Sequence, residues 1–151
     1  MDGPSNRDIT TLGASSDDEQ RRAARHHDEA RSRAFAIEAA RSLHDRHVEN
    51  IVIFDVRGLS DLMDYILIGS GTSDRQIKAV GTELKTVARD MGFNSFGRDV
   101  DEATTWLVVD FVDVVVHLFD PPTREHYDLE MMWGDAQRVK WKRDGEDKSS
   151  A

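Results

Sequence analysis

The residues of this chain best suited to chemistry are Asp110 and Asp113, two carboxylates downstream of the Gly69-Ser70 pair. In a nucleotidyltransferase a Gly-Ser turn holds phosphates while paired carboxylates bind magnesium, so these positions define a metal-dependent phosphoryl-transfer alternative. The spacing works against it: acids sharing a metal stand two apart on one strand face, whereas these are three apart and straddle an expected turn. Ser70 or Ser73 combines on paper with His117 and Asp110 into a triad, but neither serine sits in a nucleophile elbow. His26 and His27 are adjacent and would point about 100° apart on a helix, which disfavours a shared metal. The chain has no Walker-type loop, no GxGxxG and no cysteine, which removes thiolate zinc sites, disulfides and a cysteine nucleophile. The expectation is a protein without catalytic residues, cofactor or metal.

A different pattern is stronger. Residues 95–135 hold ten acids against two bases, within a chain of net charge -9. The same stretch carries Trp106, Tyr127 and Trp133, with Trp141 just beyond. Aromatic anchors amid oriented charge are the material of protein interfaces, the rings supplying affinity and the acids steering. Such a charge argues against wrapping bare nucleic acid, which requires Lys and Arg to neutralise phosphates, and suits a basic protein partner. The candidate contacts are Asp99, Trp106, Asp113, Arg124, Tyr127, Glu130 and Trp133. Some of these must be core: Tyr127 and Trp133, six positions apart, lie about 120° apart on one helix. His117, between Val116 and Leu118, reads as a core histidine held by one hydrogen bond.

These residues need elements to position them. Residues 1–33 carry little apolar surface beyond alanine and read as a disordered polar tail. Phe35, Ala39, Leu43 and Val48 recur at helical spacing over Ala34 to Arg46. Ile51 to Phe54 and Tyr65 to Ile68 are short β-branched runs, read as central strands. Ser73 and Gln76 form a capping box that opens a helix over Ile77, Val80, Leu84, Val87, Ala88 and Met91, closed by Gly92. Residues 106–109 and 114–119 suit an antiparallel hairpin. Pro121-Pro122 stops the second arm, and Arg124 to Trp133 reads as one short helix. After Gly134 a basic polar tail, 136–151, is expected. The result is one α/β domain over 34–135, with a mixed four- to five-stranded sheet and helices on its faces. No run approaches the roughly 20 apolar residues of a membrane span, so a soluble, cytoplasmic protein with no membrane contact is expected.

Two blocks of residues resemble a known family. Asp64-Tyr65-Ile66-Leu67-Ile68-Gly69-Ser70-Gly71-Thr72-Ser73-Asp74-Arg75-Gln76 is the first. The second runs Trp106-Leu107-Val108-Val109-Asp110, Asp113-Val114-Val115-Val116-His117, Arg124, Tyr127, Leu129-Glu130 and Trp133. Together they are similar to the signatures of the ribosomal silencing factors, the RsfS/Iojap family, across the whole of 34–135. The resemblance implies a nucleotidyltransferase-like topology without the enzyme. It also implies binding to the large ribosomal subunit through its fourteenth ribosomal protein, a block on joining with the small subunit, and a homodimer when free. The basic C-terminal tail would add an auxiliary contact to ribosomal RNA. Val100 and Val112 stand where the family places glycines, which predicts an altered loop over 98–105 and strain at the hairpin tip if its turn needs positive φ.

Overall fold

A computed structural model describes residues 28–95 and 105–145. The first helix, α1, spans Glu29–Asp45 and begins five residues before the expected start, because Asp28 caps it by accepting from the Arg31 backbone N–H at 2.9 Å. Strand β1 (Glu49–Asp55) follows, then β2 (Tyr65–Ser70) and helix α2 (Asp74–Asp90). The chain continues with β3 (Trp106–Asp110), β4 (Val114–Phe119), two short helices α3 (Pro121–Tyr127) and α4 (Leu129–Met132), and β5 (Gln137–Arg138). Residues 1–27 and 146–151 of the expected tails, and the loop with Asp99 and Val100, lie outside the described residues.

The five strands form one mixed sheet in the order β3-β4-β2-β1-β5. Its centre is the parallel pair β2 and β4, in register from Tyr65 opposite Val114 to Ser70 opposite Phe119. The other pairings are antiparallel. Every residue of β2 is buried, as expected for a strand covered on both faces. No helix among the described residues is long and apolar enough to cross a membrane.

Alternation along the strands separates two cores. One face, with Ile53, Tyr65, Leu67, Leu107, Val109, Val116 and Leu118, packs under α1 and α2. Helix α2 starts where the capping box puts it: Ser73 Oγ accepts from the Gln76 N–H at 3.1 Å. The return bond is displaced by one residue, since Gln76 Oε1 accepts from the Thr72 N–H at 2.7 Å while its amide nitrogen donates to the Arg46 carbonyl at 2.9 Å. The capping glutamine therefore also ties α2 to the end of α1. At mid-helix, Gly81 lets α2 approach β3; a Cβ there would lie 2.5 Å from Leu107.

The opposite face carries Val52, Phe54, Ile66, Ile68, Val115 and Phe119 and is covered by less: Leu129 and Trp133 from the α3–α4 arm, with Val56 and Met63 from the β1–β2 connection.

Two expected boundaries are corrected. Residues 136–145 are not a free tail: β5 pairs with β1, Val139 donates to the Ile53 carbonyl at 2.9 Å, and Val139 and Trp141 are buried in the helix-covered core. Arg41 Nε donates to the Trp141 carbonyl at 2.7 Å, and Arg143 makes a two-pronged pair with Asp45. The helix expected over 124–133 is two helices, broken at Asp128, whose backbone is left-handed (φ 47, ψ 53).

Candidate functional site

The thinly covered face carries the surface features of the molecule. Helix α3 starts on Asp120, whose Oδ1 accepts from the Thr123 N–H at 2.9 Å, and its prolines occupy first-turn positions where their missing N–H costs nothing. After the break at Asp128, α4 turns Leu129 and Trp133 down onto the sheet and leaves Met131 77% and Met132 41% exposed.

Arg124 holds this arm in place. Its Nε and one terminal nitrogen donate to the two Glu130 oxygens, each at 3.0 Å, and the other terminal nitrogen donates to Ser70 Oγ at 2.8 Å, at the end of β2. Bidentate geometry of this kind is strong and directional, and it spans the break between the helices. The Arg124 hydrogen bonds hold the Glu130 carboxyl below the usual carboxylate range. Two of the expected contacts are thus committed to each other.

Beside the arm lies an aromatic shelf. Trp106 and Phe119 are paired across β3 and β4, and Tyr127 closes onto them with ring centroids 4.6 Å from Trp106 and 6.5 Å from Phe119. Trp106 Nε1 donates to His117 Nδ1 at 3.1 Å, which makes His117 an acceptor and hence the neutral tautomer with its proton on Nε2. Burial pulls the His117 pKa down to about 4. His117 is therefore a satisfied structural histidine on the shelf side of the sheet. Tyr127 is 50% exposed, Trp106 and Val108 are partly so, and Glu125 and Asp128 are exposed.

The expected contacts thus separate. Trp106, Arg124, Tyr127 and Glu130 come together at the arm and shelf. Trp133 is 6% exposed and belongs to the core beneath α4, so it supports the surface instead of forming it. Asp113 is corrected outright: it is 1% exposed, at the hairpin tip, where its Oδ2 accepts from Ser32 Oγ of α1 at 3.3 Å. Its backbone carbonyl also accepts from the N–H groups of Asp64 and Tyr65, so Asp113 joins three segments of the fold. A docking partner cannot reach it. Sequence reasoning missed Met131, Met132 and Val108; the two methionines were legible as apolar residues on the far side of a helix whose other side holds Leu129 and Trp133.

The hairpin tip also disposes of the magnesium geometry. Asp110 Oδ1 accepts from the Val112 N–H at 2.7 Å, and Asp113 is buried against α1, so the two carboxylates serve the turn and not a common site. Among the described residues no group of three or more His, Asp or Glu side chains is placed to hold a metal. Val112 has φ 76, and the Asp113 N–H reaches the Phe111 carbonyl at 3.0 Å across it, a three-residue turn of the strained kind. The valine thus takes the positive φ that favours glycine, and the strain is retained in the fold.

An open groove of about 870 Å³ runs beside the arm, with Glu49, Arg124, Glu130, Arg138 and Lys142 in its lining. Its charges alternate in sign, and Arg124 and Glu130 already satisfy one another.

Comparison with known proteins places this geometry. A family profile described as "Ribosomal silencing factor during starvation" matches residues 29–151. A ribosomal silencing factor of Halalkalibacterium halodurans is 37% identical over 101 residues, covering 67% of this chain and 86% of that protein. Its counterpart in Bacillus subtilis is 39% identical over 98 residues, 65% of this chain and 83% of that one. A crystal structure of a Chromobacterium violaceum protein superposes with a TM-score of 0.64 at 30% identity, over 78% of this chain and 94% of that one.

Proposed function

The chain belongs to the ribosomal silencing factor family, and from that premise we propose that it represses translation by seating the arm and aromatic shelf on the large ribosomal subunit. The partner is the fourteenth protein of that subunit, and the bound factor stands in the way of the small subunit. The observation that carries this reading is the unequal covering of the sheet, which leaves Trp106, Tyr127, Val108, Met131 and Met132 accessible on one side, with the exposed acids Glu125 and Asp128 on the same arm. A rigid aromatic patch supplies affinity, and the acids Glu125 and Asp128 steer toward a basic protein.

Asp99 belongs to the same reading as a further acidic contact. The free protein hides the patch by forming a homodimer through it, because an exposed apolar face of this kind favours self-association. Arg138, Lys140 and Lys142, on the β5 side of the sheet, add a salt-sensitive contact to ribosomal RNA. The protein acts in the compartment of its ribosomes, the cytoplasm. Its likeness to nucleotidyltransferases is one of topology alone: Asp110 and Asp113, engaged as they are in the hairpin, take no part in catalysis.

The test is retention of purified large subunits by the immobilised protein at moderate and high salt, with subunit profiling in parallel. Retention with loss of joined ribosomes is expected. A Glu125→Lys/Asp128→Asn variant, which touches no structural bond of either side chain among the described residues, should bind more weakly with a flatter salt dependence. Subunit joining left untouched at stoichiometric excess of the unmodified protein would overturn the proposal.

A further inference from the structure

We propose that Met131 and Met132 form an oxidation-sensitive site, at which peroxide converts the docking face from apolar to polar and releases the protein from its partner. The proposal rests on the docking reading above and specifies how that face is regulated. Its starting point is sulfur chemistry. The chain has five methionines and no cysteine, so thioethers are its only sulfur targets. Among the described residues they are unequally protected: Met63 is 4% exposed and Met91 is partly buried, whereas Met132 is 41% and Met131 77% exposed. Oxidation follows exposure, so among the described methionines a two-electron oxidant meets the α4 pair first.

The position of the pair gives the reaction a consequence. Met131 and Met132 are consecutive on a single turn whose two ends, Leu129 and Trp133, are anchored in the core. Arg124 and Glu130 fix that turn to β2 through Ser70. The turn cannot rotate the methionines away without breaking those bonds, so they are presented as a fixed apolar knob. Unbranched, polarizable side chains of this kind adapt to a partner surface.

With hydrogen peroxide the thioether sulfur attacks one peroxide oxygen and the O–O bond breaks. The sulfur is oxidised by two electrons to the sulfoxide, and the remaining oxygen leaves as water after proton transfer. The product is polar and chiral, and burying its S=O against an apolar partner without a donor costs on the order of tenfold in affinity per group. A methionine sulfoxide reductase, with a thiol as reductant, reverses the step.

The full chain is treated with hydrogen peroxide, mapped by peptide mass spectrometry, and assayed for large-subunit retention before oxidation, after oxidation and after reductase treatment. The expected result is an added oxygen on Met131 and Met132 ahead of Met63, at least tenfold weaker retention with an unchanged melting temperature, and recovery on reduction. A Met131→Leu/Met132→Leu variant, whatever its own starting affinity, should retain the same amount of large subunit before and after peroxide, while Met63→Leu should remain sensitive. Equal retention by the mapped, doubly oxidised protein would overturn this inference while leaving docking intact. Failure of the untreated protein to bind would overturn the docking reading itself and this inference with it. Loss of retention that persists in the Met131→Leu/Met132→Leu variant would show that the sensitive group lies elsewhere.

Discussion

The two faces of the sheet are built from the same strands but finished differently. Under α1 and α2 the core is wide and closed: Phe35 stacks on Phe93 at 4.6 Å, meets Phe111 edge-on at 5.0 Å, and is fully buried. On the other face the cover is two short helices and a connection, tied to β2 by Arg124, with Tyr127 half out of the protein. The first face holds the larger share of the buried apolar side chains. The second leaves Tyr127, Met131 and Met132 exposed. The contrast teaches that aromatic content alone does not mark a contact surface; how much chain lies above the ring decides.

That contrast predicts a dissociation between stability and binding. Phe35→Ala should cost about 3–5 kcal/mol of folding stability, the usual range for emptying a buried aromatic site, and impair docking only by unfolding the chain. Tyr127→Ala should cost under about 1 kcal/mol of stability but weaken large-subunit binding by about 2 kcal/mol, as expected of an anchoring ring. Denaturant melts alongside binding isotherms separate the two. If Tyr127→Ala unfolds the protein as severely as Phe35→Ala, the two faces are not different in kind.

The pH response sharpens the same comparison. His117 has its pKa lowered from 6.5 to about 4 by burial. The unfolded chain therefore binds a proton that the folded one refuses. Stability from this group is complete above pH 6.5 and is lost as pH falls toward 4, by about 3 kcal/mol at most. Glu130 adds a loss of the same sign at lower pH, since its depressed carboxyl contributes only above the ordinary carboxylate range. His117→Gln keeps an acceptor for Trp106 and should flatten the profile between pH 6.5 and 4 in chemical denaturation. An unchanged slope would mean that the ring is not desolvated on folding.

Much of this was legible from local signals. The capping box, the β-branched runs and the hairpin spacing each specify short-range geometry, and α2, β1, β2, β3 and β4 follow them. The C-terminal segment leaves a trace in the alternation Arg138-Val139-Lys140-Trp141-Lys142, whose Val139 and Trp141 are buried while the bases between them face out. Other features could not be read locally. Asp128 turns left-handed where Arg124 bridges Ser70 and Glu130, a contact spanning 54 positions. Asp113 looks like a surface charge until α1 supplies Ser32, 81 positions away. Long-range partners decide both, and a linear pattern does not contain them.

The smallest expected effect lies at the tip of the β3–β4 hairpin. Val112 is 1% exposed, holds φ 76, and belongs to neither core cluster. Replacing it with glycine removes a left-handed penalty of about 1–2 kcal/mol. The same change gives up a buried valine side chain, about 1.5 kcal/mol, and adds about 0.5–1 kcal/mol of unfolded-chain entropy. The losses equal or slightly exceed the gain, so Val112→Gly should cost between nothing and about 1.5 kcal/mol. The hydrogen bonds of the turn, from Asp110 to Val112 and from Asp113 to Phe111, survive in the variant because neither uses the valine side chain. A gain well above 1 kcal/mol in urea titrations would mean that the valine is pure strain, held for something other than folding. A loss well above about 1.5 kcal/mol would mean that its packing outweighs its backbone, and that the tip is as much core as the face under α1.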